Sequence, residues 1–260
     1  MLIEKTFDQK FDNSKFFANI DERKLSPDID DWLKFMQIDK KMPEHQAVYE
    51  TLRDRILLGE FAPGQPMTIQ GLAEVLGVGM TPVREAIRRL TSESALETLG
   101  NRRVIVPTLT QDQLDDIYFM RLRVEPELAR RAAKSITKQY VKELYAIDRE
   151  VDLAIEVGDV NGYLERNKAF HFNIYAHANS PILTRIAQSL WLQVGPSLRV
   201  VCGRYGTANL PDEHDAILQA FLDGNPDAAA AAMQEDLKQG IMLAGQPLAN
   251  KFDQNLGENQ

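Results

Sequence analysis

Apolar positions recur every three or four residues from Val48, through Leu52, to Ile56, with Tyr49 and Leu57 beside them. They stop at the Gly- and Pro-containing stretch GEFAPGQ, so the pattern predicts a first helix ending before Gly59. A second helix is expected from a Thr68 cap, with Ile69, Leu72, Ala73 and Leu76 on its apolar face and Gly77 placed to end it. A third is expected from a Thr81 cap, with Pro82 at the first helical position and Val83, Ile87 and Leu90 facing inward. Two short β-prone runs follow, Leu96 to Leu99 and Val104 to Val106, around Gly100-Asn101, which reads as a hairpin. Two short helices joined by a tight Gly-containing turn, then a hairpin, describe a winged helix-turn-helix.

Beyond residue 107 the period stays helical. Helices are expected near 111–134, 138–157, 160–178, 181–202, 212–223 and 226–244. The breaks fall at Gly158, Ser180-Pro181, the GRYGTANLP loop and Gly224-Asn225-Pro226. Short connections between helices of this length imply an antiparallel bundle. Residues 1–42 keep no sustained period and read as an arm carrying the apolar group Trp32, Leu33, Phe35 and Met36. The expected layout is therefore mainly α: an arm (1–42), a winged helix-turn-helix (43–107), a helical bundle domain (108–246) and a C-terminal tail (247–260).

Length and composition agree with two folded domains, since 260 residues exceed the commonest domain size. No apolar run reaches the roughly 18 residues of a membrane span, and the N-terminus lacks the apolar centre of a secretory signal, so a cytoplasmic protein is expected. The single cysteine, Cys202, fits a reducing compartment.

Net charge is −8, and the excess acid is mostly C-terminal. Residues 78–107 reverse the balance with Arg84, Arg88, Arg89, Arg102 and Arg103 and no lysine. A local positive island is what nucleic-acid binding requires, whatever the global charge. The bland alternative is a solvated helix face with Glu85 and Arg89 as an i, i+4 pair. Against it stands the placement of these arginines on the third helix and the hairpin of a helix-turn-helix pattern.

The run VYETLRDRILLGEFAPGQPMTIQGLAEVLGVGMTPVREAIRRL followed by GNRRVIV resembles the N-terminal domain of the GntR family of bacterial transcriptional regulators. The remainder, from LTQDQLDDIYFMRLRVEPELARRAA through NKAFHFNIYAHANSPIL to DEHDAILQAFLDGNPDAAAAAMQEDL, is similar to the all-helical effector domain of its FadR-like subfamily. The resemblance implies a ligand-responsive, homodimeric regulator that binds a double-stranded DNA operator, senses a small organic acid and does not touch membranes. Candidate DNA contacts are Thr68, Gln70, Thr81, Pro82, Arg84, Arg88, Arg102 and Arg103; Arg84 matches the family's recognition-helix arginine and Gln70 a position that is often Arg. Gly79 and Met80 depart from the family's usual Ser-Arg, which alters the expected base readout.

Asn167 and His171, four residues apart, project from one side of one helix turn. Metal-binding members of the subfamily carry an Asp or Asn four before a His and two further histidines. The resemblance therefore implies a set of Asn167, His171 and His214, with Asp236 standing where the last histidine is expected. Such a nitrogen and oxygen set suits a divalent ion, Zn, Ni or Mn. The alternative is a pair of hydrogen-bonded core histidines without metal. Arg121 matches an arginine typical of the effector domain and is a candidate anion anchor, its alternative being a bundle salt bridge with Glu125. Arg199 is a second effector candidate.

Two other functions are weighed: a metal-dependent enzyme acting on small carboxylates, and a sensor or scaffold without specific DNA binding. No H-E-x-x-H, P-loop, G-x-G-x-x-G or G-x-S-x-G pattern occurs, which disfavours the enzyme.

Overall fold

The computed structural model describes residues 42–99, 103–205 and 213–257. The expected arm, the Gly100-Asn101 turn with Arg102, and most of the GRYGTANLP loop lie outside the described residues. In chain order the elements are α1 (Glu44–Leu57), β1 (Pro66–Thr68), α2 (Ile69–Leu76), α3 (Met80–Ser92), β2 (Glu97–Leu99), β3 (Arg103–Ile105), α4 (Gln111–Ala132), α5 (Lys138–Val157), α6 (Val160–His177), α7 (Pro181–Tyr205), α8 (His214–Leu222) and α9 (Pro226–Gly257).

In the N-terminal part, α1 buries Val48, Leu52 and Ile56, α2 buries Leu72 and Ala73, and α3 buries Val83, Ala86, Ile87 and Leu90. Thr68 caps α2 by accepting from the Gly71 amide at 3.0 Å, and Gly77 ends it in the left-handed conformation at φ 66°. The hairpin forms, but as the outer part of a three-stranded antiparallel sheet in the order β1-β3-β2. Strand β1 was not expected. Its pairing with β3 puts Met67 opposite Val104, and both are buried, so the strand exists because the hairpin offers it a partner.

The C-terminal helices pack as a bundle in which α4 lies along α9 and α5 along α6. Their starts follow the capping rules. Thr110 and Gln113 form a reciprocal capping box on α4, Thr137 caps α5, and Asp159 caps α6. Helix α9 continues to Gly257, so residues 247–257 prolong it and are not a separate tail. Fully buried Leu128, Leu144, Phe170, Ile174 and Ile217 form the interior, each contributing about 1.5–3 kcal/mol of apolar transfer. Buried side chains of α1, α3 and the sheet join those of the bundle in one continuous apolar cluster. Among the described residues, no helix is long and apolar enough to cross a membrane.

Candidate functional site

Helix α3 turns Thr81, Arg84, Glu85, Arg88 and Arg89 outward. It begins two residues earlier than the capping pattern predicts. Gly79 is the N-cap, in extended conformation and without a side-chain cap bond, so Thr81 is not the cap and Pro82 is the third helical residue. The shift is tolerated because the first four amides of a helix have no intrahelical acceptor, and Pro82 still gives up a donor that had none. It also moves Arg84 beyond the first turn, where the helix dipole opposes positive charge most.

The Glu85–Arg89 pair named under the solvated-face alternative does not form. Arg88 takes Glu85, with Nη2 at 2.5 Å and Nε at 3.2 Å from the two carboxylate oxygens. Arg89 lies 3.6 Å over the Tyr49 ring and donates to Gln46 at 2.9 Å and to Glu93 at 3.3 Å, tying α3 to α1. Arg84 is exposed, with no ion-pair partner among the described residues. Arg103 is exposed on β3, Gln70 donates to Glu74 at 3.0 Å, and Thr68 is occupied by its cap bond.

Inside the bundle, three helices bring together residues far apart in sequence. His171 from α6, His214 from α8 and Asp236 from α9 offer ligand atoms that all lie within 4.8 Å of one another. Both imidazoles direct Nε2 to the Asp236 carboxylate, at 3.3 Å from His171 and 3.7 Å from His214. Their other ring nitrogens are held from behind: the Nδ1 of His214 meets the buried Asp148 carboxylate at 2.6 Å, and that of His171 meets the Tyr175 hydroxyl at 3.2 Å. A carboxylate behind an imidazole fixes its tautomer and presents the opposite lone pair, the arrangement metal-binding histidines use. Burial works to raise the Asp236 carboxyl, but the hydrogen bond from His171 and the charges of His171, His214 and Arg121 hold it below the usual carboxylate range. Burial raises the Asp148 carboxyl, with His214 pulling the other way. Asn167 lies one turn before His171 and, with Asp236, lines an adjoining pocket.

That pocket has a volume of about 580 Å³ including its open mouth. Tyr118, Tyr163, Trp191, Val194 and Leu198 form its apolar walls, and Arg121, Asn167, Asp236 and Gln239 its polar positions. Arg121 is 7% exposed and is already paired, with Nε 2.5 Å and Nη2 3.2 Å from the two oxygens of Glu125. Glu125 is itself 0% exposed and also accepts from Trp191 Nε1 at 3.0 Å and from the Tyr175 hydroxyl. Burial works to lower the Arg121 guanidinium, and Glu125 overrides it, so the net shift is upward. The Arg121–Glu125 salt bridge and the pocket lining thus coexist in one residue. Arg199 does not line the pocket. Its guanidinium points away, donating to the Leu58 carbonyl at 3.4 Å and to Asn161.

Sequence reasoning missed Asp148, Tyr175 and Trp191. Tyr175 was legible, being four residues after His171 on the same helix face. Asp148 had no local signal, because it reaches His214 only through the packing of α5 against α8.

Two family models match the chain: "Bacterial regulatory proteins, gntR family" over residues 44–106 and "FCD domain" over residues 116–239. The chain is 29% identical over 199 residues to the HTH-type transcriptional regulator McbR of Escherichia coli K12, covering 75% of this chain and 90% of that protein. It is 25% identical over 207 residues to the HTH-type transcriptional repressor RspR of the same organism, covering 78% and 90%. Among solved structures, E. coli McbR/YncC superposes with a TM-score of 0.75 at 28% identity, over 79% of this chain and 98% of that one. A GntR regulator from Rhodococcus sp. RHA1 shares the fold, with a TM-score of 0.63 at 22% identity over 78% and 98%. With an arginine-bearing recognition helix, a three-stranded wing and a pocketed helical bundle behind them, the chain belongs to the GntR family with an FCD effector domain, as a ligand-responsive DNA-binding transcriptional regulator and not an enzyme.

Proposed function

We propose that the protein senses a small organic acid in its bundle pocket through a divalent ion held by Asn167, His171, His214 and Asp236, and that a two-fold homodimer reads a double-stranded operator in the cytoplasm. The observation that carries the metal reading is the inward aim of both Nε2 atoms onto Asp236, with Asp148 and Tyr175 behind the rings. The residues fit such an ion, because two imidazole nitrogens, a carboxylate and an amide oxygen form a donor set acceptable to Zn, Ni or Mn. When bound, the ion supplies positive charge with coordination positions open to an anionic oxygen. Arg121 meets the same anion with its Nη1 edge, since Glu125 occupies Nε and Nη2. Glu125 keeps the guanidinium charged and fixed in place.

On the DNA side, Arg84 reads a base edge, Arg88, Arg102 and Arg103 contact backbone or flanking groove, and Thr68, Gln70, Thr81 and Pro82 position the helix. The layout of arm, DNA-reading domain (43–107) and effector and dimerisation domain (108–246) belongs to the same proposal. The test is metal content. Protein purified without a histidine tag or chelator carries, or takes up, about one equivalent of Zn, Ni or Mn per chain, and His171→Ala lowers the affinity by more than the roughly 10- to 100-fold that losing a residue behind a ligand costs. No metal in the purified protein, together with no uptake of any of the three ions, overturns the metal reading.

A further inference from the structure

Helix α7 carries two faces with different neighbours. Trp191, Val194 and Leu198 line the pocket. With 3.6 residues per turn these three span about 60° of the helix, and Gly195 and Arg199 lie about 40° and about 80° beyond its Trp191 edge. The second face is pressed against the end of α1 in the DNA-reading part. A Cβ placed on Gly195 would stand 2.0 Å from the Leu57 carbonyl oxygen, so the two backbones are in direct contact and only glycine fits. One turn on, the Arg199 side chain packs on Gly59, whose added Cβ would lie 2.6 Å from the Arg199 Cβ. Its guanidinium bonds the Leu58 carbonyl and Asn161. A cation there also faces the negative end of the α1 dipole. A second tie crosses nearby, from Lys168 Nζ to Asp54 at 2.9 Å. Lys168 is the neighbour of Asn167 on α6, so two of the four helices that line the pocket, α6 and α7, also grip α1. Pro196 follows Gly195 in α7 and removes one backbone hydrogen bond there, a local weak point at which the helix can bend.

We propose that α7 transmits the state of the pocket to the DNA-reading helices through the Gly195–Leu57 contact, with Arg199 as the clamp and the Lys168–Asp54 pair as a second tie. This rests on the pocket being the effector site. An occupant bearing on Trp191, Val194 and Leu198 displaces α7, and α7 has no freedom to move without shifting the end of α1. Helix α1 holds α3 through the Arg89, Tyr49, Gln46 and Glu93 network, so the displacement reaches the recognition helix. An occupant changes DNA affinity only by binding two arrangements unequally, and the effect is reciprocal.

Reciprocity supplies the experiment. In a Trp32→Phe background Trp191 is the only tryptophan and sits in the pocket wall. A duplex selected by the full-length protein from a random-sequence pool is added while Trp191 emission is followed, and Zn²⁺ affinity is measured with and without that duplex. The unaltered seam is expected to change the emission on DNA binding and to shift zinc affinity by roughly 5- to 150-fold. Arg199→Ala and Asp54→Asn, singly and together, are expected to keep the separate affinities for zinc and duplex while the emission change and the affinity shift fall away. Asp54→Asn alters an exposed side chain and serves if Arg199→Ala does not fold. If no zinc binds, the metal reading fails, while the emission change still decides the seam. Emission unaffected by the duplex with the seam intact, or coupling undiminished in the variants, overturns the proposal.

Discussion

Glu125→Ala isolates the most consequential polar cluster of the bundle. The carboxylate is wholly buried and accepts from Arg121 Nε and Nη2, Trp191 Nε1 and the Tyr175 hydroxyl. At these separations and an effective dielectric near 20, the Arg121 attraction is about 4–6 kcal/mol, much of it cancelled by the desolvation of both ions. Truncation removes the attraction and leaves the desolvation of a guanidinium that is 7% exposed. The expected loss is therefore about 3–5 kcal/mol, of the size found when one member of a buried pair is deleted. The two neutral donors left behind add to it, and water entering the vacated volume relieves part. Replacing both charges, as Arg121→Met with Glu125→Leu, should recover most of the loss, because no orphaned charge remains. Glu125→Gln should fall between, since it keeps an acceptor of the same shape. The assay is urea unfolding followed by Trp191 emission in the Trp32→Phe background, which reports on the bundle. A loss below about 1 kcal/mol for Glu125→Ala, or a double replacement as harmful as the single one, would refute the account.

The remaining expectations follow from exposure and charge. Arg84→Ala should cost about 1–3 kcal/mol of operator affinity and relax discrimination between sites, whereas Arg103→Ala should weaken all duplexes alike and reduce the salt slope by about 1. Gel-shift titrations at several salt concentrations distinguish the two, and an unchanged affinity for Arg84→Ala would remove it from the reading surface. Cys202 is 4% exposed, and burial pushes its thiol up to about 11, so its thiolate is the minor species at any pH below that. A thiol reagent at pH 8 should label it slowly in the folded protein and rapidly in denaturant; fast labelling of the folded protein contradicts this burial. The pH trend is upward, with labelling of the folded chain accelerating as pH approaches 11.

Period and punctuation alone determined a large part of this protein. Val48, Leu52 and Ile56, the Thr68 cap and the Gly77 stop mark a helix-turn-helix because burial on one face and the φ freedom of glycine are local requirements. The capping residues Thr110, Thr137 and Asp159 and the stop at Gly158 place the bundle helices for the same reason. His171 was visible through its spacing from Asn167, and His214 and Arg84 through the motifs that resemble the GntR family and its effector domain.

Other features were decided by partners distant in sequence. Strand β1 has three residues, too few to carry a readable period, and it forms because β3 supplies hydrogen bonds across 35 or more residues. The start of α3 moved from Thr81 to Gly79 because either residue satisfies the local rule, and the incoming chain selected one. Arg89, read as a surface charge, became a link to α1 because Tyr49 and Gln46 lie beneath it. Arg199 was read as facing the pocket. On a helix whose two sides both contact protein, however, the face it occupies depends on where α1 docks, and α1 docks where Gly195 lets the backbones touch. Local sequence carries the period and the ends of an element, while the neighbour met by each face is set by packing of the whole chain. For that reason the site residues were legible in part, and the seam that joins them to the DNA-reading helices was not.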